Sequence, residues 1–382
     1  MKARLILLLA LGCQVSSQMH EMRQRWTMTL REGHGLQTFD RPSQQLWYRQ
    51  QGVVFITPDR LAVYQVNQRL APAPLARRDV SGGSGNFFLD LKILDAHHGH
   101  EIKFIRFPTS GSFSQVVAVR GGSFLVRTGD VLYLLSPAFS VLASKTLPLE
   151  RVAPFEEWQI SVPHSGAEIV VVHQQLFIHE AVLADGTLLS PGTSKADVEI
   201  LDSDTLKVVK TFNLSHHLAY WSAGERFLVG THASQPHHAE EFGLLDFDGR
   251  WKELKPTFTT KQPCAPIMEA LDNQHIAAYG CNGIVVFSES GDQIFSSGGR
   301  ANEVPLRVAN SGNYLAVEFF GLPSSLSLKM KPSHIVLFDI KGGTQLAALS
   351  VQKNVVYYDV SAQGSLVVLE GDTLTMFGQG TE

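Results

Sequence analysis

The chain has 382 residues, too many for one ordinary core and few for three separate domains, which leaves two domains or one large closed repeat. Apolar residues make up 44% and charged ones 18%, with 32 Gly and 17 Pro, a profile that excludes a disordered protein. Lys plus Arg number 32 against 36 acids, a formal net charge of −4, so nothing favours binding to nucleic acid or to an anionic membrane.

The first residues read as an export signal. Lys2 and Arg4 precede an apolar run from Leu5 to Leu11, and the polar run Cys13 to Ser17 sets Val15 and Ser17 at signal-peptidase spacing. The apolar run is about a third of the roughly 20 residues a membrane-spanning helix needs. Residues 1–17 are therefore expected to be a signal peptide, and the mature chain to be secreted or periplasmic. Two alternatives stay open. The segment could be a buried N-terminal strand or helix. It could also be processed as a lipoprotein, because Ala10-Leu11-Gly12-Cys13 resembles a bacterial lipobox with Leu9 one place early. Lipidation of Cys13 is the one route by which a membrane becomes a partner. Removing residues 1–17 takes two cations and no acid, leaving 30 against 36, or −6.

Past this segment, helical periodicity is nearly absent. Short β-branched and aromatic runs alternate with Gly, Pro, Asn, Asp and Ser clusters, which predicts an all-β chain. One pattern recurs seven times: an apolar run ending in Asp or a small residue, then a turn, then a second apolar run. The runs end at Asp95, Ser136, Asp202, Asp246, Ser288, Asp339 and Gly378, with steps of 41, 66, 44, 42, 51 and 39 residues. Four of the six steps match the roughly 40–45 residues of a four-stranded propeller blade, and two are stretched by insertions. Each run follows a strand–turn–strand pair, such as Val53–Ile56, Thr57-Pro58-Asp59-Arg60 and Leu61–Val66. Each unit then has four strands, A to D from the inside outward. The seventh unit lacks strand D, and Arg25–Leu30 at the other end of the mature chain can supply it, removing the ring's open seam. Residues 18–382 are thus expected to form a single seven-bladed β-propeller domain.

The Thr57-Pro58-Asp59-Arg60 and Ser361-Ala362-Gln363-Gly364 turns resemble the "SPDG" turn between inner strands of WD40-like repeats. On these turns and the repeat spacing, the chain resembles β-propellers of the broad WD40-like or quinoprotein-like group, over residues of roughly 23 to 379. It looks like exported bacterial propeller proteins without an assigned role. No blade carries the Gly-His or Trp-Asp signatures of strict WD40 repeats. The resemblance implies a ring-shaped scaffold rather than an activity.

In such a blade the B–C and D–A loops share one face. The long insertions, Asn67–Asn86, His173–Ala196, His232–Glu241 and Phe320–Ser333, all fall in B–C positions. Variable loops on one face suggest a binding surface, and tolerance of insertions explains their length but not the shared face. Cys264 precedes strand A of the fifth blade and Cys281 follows its strand B. The hairpin between them brings their ends together near the insertion face, so a disulfide closing 18 residues is expected; two unrelated buried thiols are the alternative.

Motifs for chemistry are few. His232, His237 and His238, beside Glu240 and Glu241, have the donor types of a Zn or Cu site and lie in a predicted insertion, though at no established spacing. His97-His98-Gly99-His100 falls in a predicted C–D turn on the opposite face and reads as solvated. The Ser81–Gly85 loop lacks the spacing of a nucleophile elbow, and no phosphate-binding glycine motif occurs. No catalytic residue can be named, and no cofactor is expected. Two function classes remain. The favoured one is a non-enzymatic, extracytoplasmic and monomeric scaffold that holds a protein, peptide or glycan on its insertion face. The other is a propeller enzyme, a hydrolase or oxidoreductase, with its site at the central channel.

Overall fold

The structure is a computed structural model. It describes residues 22–30, 51–68, 87–109, 114–147, 155–162, 166–177, 181–182, 188–189, 193–215, 218–223, 226–231, 241–246, 249–258, 266–271, 275–299, 303–321, 331–351 and 356–379. The expected signal peptide, Cys13, Cys264 and the His232, His237 and His238 group lie outside them. Among the described residues no helix is long and apolar enough to cross a membrane.

Seven four-stranded antiparallel sheets follow one another along the chain. Blade 1 spans residues 51–109, blade 2 114–146, blade 3 155–215, blade 4 218–253, blade 5 267–298 and blade 6 303–350. Blade 7 takes three strands from 356–379 and its outermost from Met22–Thr29. That closing strand pairs with Thr373–Gln379 from Met22 opposite Gln379 to Thr29 opposite Thr373, with a bulge between Gln24 and Trp26. The expected N-terminal closure is therefore present, starting three residues earlier than Arg25.

Each of the seven recurring runs lies on or directly ends a C strand. In five of the seven the terminal Asp or Ser has a physical task there, since it accepts backbone amides of the C–D turn. Asp95 Oδ1 takes the amides of His97 and His98, Asp202 Oδ1 those of Asp204 and Thr205, and Asp246 Oδ1 that of Arg250. Ser136 and Ser288 do the same for Ser140 and Asp292. A side chain that satisfies the turn's amides stops the strand at a fixed point and sets the register of strand D.

Strands B and C are sandwiched between neighbouring blades and read as near-continuous apolar runs. Strand B of blade 2, Phe124–Thr128, is buried throughout. Strand D faces solvent, and its exposed apolar side chains (Val141, Leu142, Val208 and Val209 among them) lie on the rim. Seven apolar clusters fill the seven junctions between adjacent blades, including the one joining blade 7 to blade 1. At that last junction Val53, Phe55, Leu61 and Val63 meet Val367, Leu369, Leu374 and Met376, with Trp26 and Met28 of the closing strand packed against them. Each fully buried side chain of this kind is worth roughly 1.5–3 kcal/mol, so packing between blades holds the ring.

On the face of the A–B and C–D turns, arginines latch one blade to the next. Arg60 donates to the Pro137 carbonyl at 2.8 Å and lies over the Phe139 ring, and Arg226 donates to the Glu289 carbonyl at 3.2 Å. Arg120 reaches to 3.9 Å of Asp204.

Candidate functional site

The B–C connections start and end on the opposite face; residues 69–86, 178–192, 232–240 and 322–330 join the B to the C strands of blades 1, 3, 4 and 6 and, apart from 181–182 and 188–189, lie outside the described residues. The strands run further into all four than the sequence suggests, most of all in blade 3. Gln68 pairs with Phe87, and Phe177 with Thr193. His173 and Ala196 are thus strand residues rather than loop residues. Both are buried, and polar Gln174 and Gln175 between them join the ladder because the neighbouring blade encloses them. Ala181–Val182 and Leu188–Leu189 form a small hairpin within the blade 3 excursion. Cys281 sits on this face just past strand B of blade 5 and is 5% exposed.

Blades 2 and 3 contain an unusual polar layer. The Trp158 indole stacks on the His173 imidazole at 4.1 Å and 8°. Arg127 donates through Nη1 to the Trp158 carbonyl and through Nε to that of Gly129. Trp158 Nε1, both amide atoms of Gln159, Gln174 Nε2, Ser114 Oγ and Thr128 Oγ1 are buried and have no hydrogen-bond partner among the described residues. Each such atom costs about 1–3 kcal/mol unless water or another group satisfies it.

The turn face presents a second constellation. Asp95 ends strand C of blade 1 (Phe87–Asp95), and His98 and His100 follow in the C–D turn. One ligand atom from each lies within 4.8 Å of the others. His98 Nδ1 is 3.0 Å from Asp95 Oδ1, and the His98 and His100 rings stack 6.0 Å apart. Partial desolvation alone would raise the Asp95 carboxyl, but hydrogen bonds from the His98 and His97 amides and the His98 ring outweigh it and hold it below its ordinary value. His97 turns aside to Asp59 at 2.8 Å. The three histidines are exposed, as the sequence suggests, yet two converge with an aspartate it had marked only as a strand end. The signal that could have found them is Asp-x-x-His-x-His across a tight turn.

A third polar group is internal. Glu318, on strand B of blade 6, is 1% exposed and faces Arg307 across the strand pair. Desolvation raises its pKa, and the Arg307 charge and a hydrogen bond from the Ser333 hydroxyl offset this only in part. The Tyr358 hydroxyl from blade 7 donates to the Arg307 carbonyl at 2.7 Å and accepts from the Glu318 amide at 3.1 Å. Desolvation, with Glu318 adding to it, raises the phenol well above the ordinary tyrosine range. Closed off this completely, the Glu318 carboxylate serves the contact between blades 6 and 7.

No protein-family model matches the chain, and no curated protein matches it in sequence. Solved structures do resemble it. The WD40 domain of Pan2 from Neurospora crassa aligns with a TM-score of 0.52 at 12% identity, over 95% of this chain and 97% of that one. An acylaminoacyl peptidase from Pyrococcus horikoshii aligns at 0.53 and 12% identity, over 88% of this chain and 53% of that one, so the present chain spans about half of the peptidase. The β-propeller domain of the Trilobed protease from Pyrococcus furiosus aligns at 0.51 and 10% identity, over 85% and 93%. That domain has an open velcro topology, whereas the present ring is closed by Met22–Thr29. At such identities the likenesses show the fold alone, and with seven sheets and seven packed junctions that fold is a seven-bladed β-propeller.

Proposed function

We propose that this propeller is a non-enzymatic scaffold acting outside the cytoplasm, and that it holds a protein, peptide or glycan on the face of its B–C excursions. The observation that carries this reading is the coincidence of four long B–C connections with a layer of buried polar groups in blades 2 and 3 that have no partner among the described residues. Loops on a rigid frame supply adaptable contacts. The buried indole, amide and hydroxyl groups of blades 2 and 3, which have no partner among the described residues, are groups that a ligand's donors and acceptors can satisfy. Export through the N-terminal signal and a Cys264–Cys281 bridge belong to the same reading, since an oxidising compartment lets a disulfide tie the chain entering blade 5 to the turn after its strand B.

The strand ends define the test. Because Gln68 faces Phe87 and Phe177 faces Thr193, residues 69–86 and 178–192 can each be replaced by a two-residue Asn-Gly turn without changing the ladder. The mature chain and this shortened variant, matched in circular dichroism, are each used to capture material from envelope extract. Any specific ligand is then purified and titrated against both. The expected result is capture by the mature chain and at least tenfold weaker binding by the variant. Equal binding by both would sink the insertion-face reading.

A further inference from the structure

The C–D turn of blade 1 has a structural twin in blade 3. In both, the Asp amide bonds to the carbonyl five residues on: Asp95 to His100 and Asp202 to Lys207, each at 2.9 Å. In both, the residue four along donates back to the Asp carbonyl and has a left-handed backbone, Gly99 at φ 76° and Leu206 at φ 57°. In both, the Asp Oδ1 accepts backbone amides of the turn. The frame is therefore a general solution for this loop. Blade 3 builds it with Thr205 where blade 1 has His98, and with Lys207 where blade 1 has His100. Neither imidazole is needed to form the turn.

What the imidazoles add is a donor set. All three hydrogen bonds to Asp95 fall on Oδ1, and among the described residues neither Asp95 Oδ2 nor the His100 ring has a hydrogen-bond partner. In a tetrahedral site with bonds of about 2.0–2.1 Å, neighbouring donor atoms stand about 3.3 Å apart. The Asp95–His98 separation of 3.0 Å is already near that value. The widest spacing in the trio, at most 4.8 Å, closes by about 1.5 Å through rotation of exposed rings. The base of the site does not need to move. Trp26 of the closing strand donates to the Ala96 carbonyl at 2.9 Å and lies flat against Gly99, and the Ala96 amide donates to the Asp59 carbonyl.

We propose that Asp95, His98 and His100 form a binding site for a divalent first-row transition-metal ion, Zn²⁺ foremost, on the face opposite the B–C excursions. One carboxylate oxygen and two imidazole nitrogens suit Zn²⁺, Cu²⁺, Ni²⁺ and Co²⁺ and disfavour Ca²⁺ and Mg²⁺, which take oxygen. Three protein donors leave the remaining position to water or to a group brought by a partner. The ion also bridges the strand end to the turn that supports Trp26, so its binding and the closure of the ring are linked.

The test uses the mature, untagged chain stripped of metal and titrated calorimetrically with Zn²⁺, with Mg²⁺ in parallel. One saturable Zn²⁺ site is expected in the micromolar range or tighter, with no Mg²⁺ competition. His98→Ala/His100→Ala should weaken it at least tenfold, whereas the triple variant His232→Ala/His237→Ala/His238→Ala should bind like the parent. Both imidazoles are exposed and absent from the twin turn, so the double variant is expected to fold, and its circular dichroism checks that. Zn²⁺ should raise the melting temperature of the parent and not of the double variant. Stoichiometric Cu²⁺ should quench indole emission in the parent, less so in Trp26→Phe. Absence of saturable binding overturns the proposal. So does binding that survives loss of His98 and His100 and disappears with the triple variant.

Discussion

Trp26 and Gly99 meet face to face across the seam of the ring: a Cβ placed on Gly99 would lie 2.9 Å from two carbons of the Trp26 indole. The same indole donates its N–H to the Ala96 carbonyl, so one side chain on the closing strand grips both the backbone and the bare α-carbon of blade 1's C–D turn. Gly99 is required twice over, by its left-handed φ of 76° and by the ring it lies beneath.

The two requirements can be separated by a double-mutant cycle. Gly99→Ala should cost about 2–3 kcal/mol in urea unfolding, of which about 1–2 kcal/mol is left-handed backbone and the rest is the indole. Trp26→Ala should cost about 2–4 kcal/mol from lost packing and the lost hydrogen bond. In the double variant the penalties should fall short of their sum, because the absent indole no longer meets the added methyl. Full additivity would mean the contact contributes nothing.

A second tie across the seam lies further inward. Asp359 Oδ2 accepts the amide of Phe55 at 2.7 Å, joining strand A of blade 7 to strand A of blade 1 across 304 residues of sequence. Strand A has no sheet neighbour on its channel side, so a carboxylate there satisfies an amide the ladder leaves over. Asp359→Ala should destabilise the ring by about 1–3 kcal/mol, and Asp359→Asn, which keeps an acceptor, by less. The midpoints of urea unfolding check the order; equal losses would show that the acceptor is irrelevant.

These ties show what the sequence made legible. The C-strand runs stood out because those strands are buried on both faces and end at a side chain that caps the next turn, as Asp95, Asp202 and Asp246 do. The closing strand was legible from the missing fourth strand alone. Strand ends were not, because His173, Gln174 and Gln175 are polar by composition yet buried in the folded ring. The Asp95, His98 and His100 trio was hidden for a related reason. Linear sequence shows neighbouring histidines, but only the left-handed turn at Gly99 brings His100 round to the aspartate. A glutamate in an apolar run, Val317-Glu318-Phe319, likewise gives no hint of its surroundings until blade 7 is packed against it.

Glu318 makes a prediction about pH. Its folded-state pKa is raised above the unfolded value, so the folded state binds the proton more tightly. Stability contributed by this group therefore falls as pH climbs from the unfolded value, about 4.5, through the higher folded one, and stays at its lowest above that. Glu318→Gln removes the titrating charge with little change of shape. The variant should melt higher than the parent at pH 8, and the gap should shrink as pH is lowered toward 4. A gap independent of pH would show that the carboxylate is not the cause.

The last prediction concerns the cysteines. If residues 1–17 are removed, the mature chain keeps Cys264 and Cys281 of its three cysteines. Strand A of blade 5, Ile267–Ala270, pairs with His275–Tyr279 so that Ile267 faces Tyr279. Tyr279 stands two residues before Cys281, and Cys264 stands three residues before Ile267 in the sequence, a spacing compatible with a disulfide between them. The denatured, unreduced mature chain should then release no free thiol, and two after reduction. Cys264→Ser/Cys281→Ser should lower stability by about 3 kcal/mol, the chain entropy that closing an 18-residue loop removes from the unfolded state. Two free thiols before reduction would end the bridge. Intact thiol pairing with an unchanged melting temperature in the double variant would instead show that packing around Cys281 already holds the turn without it.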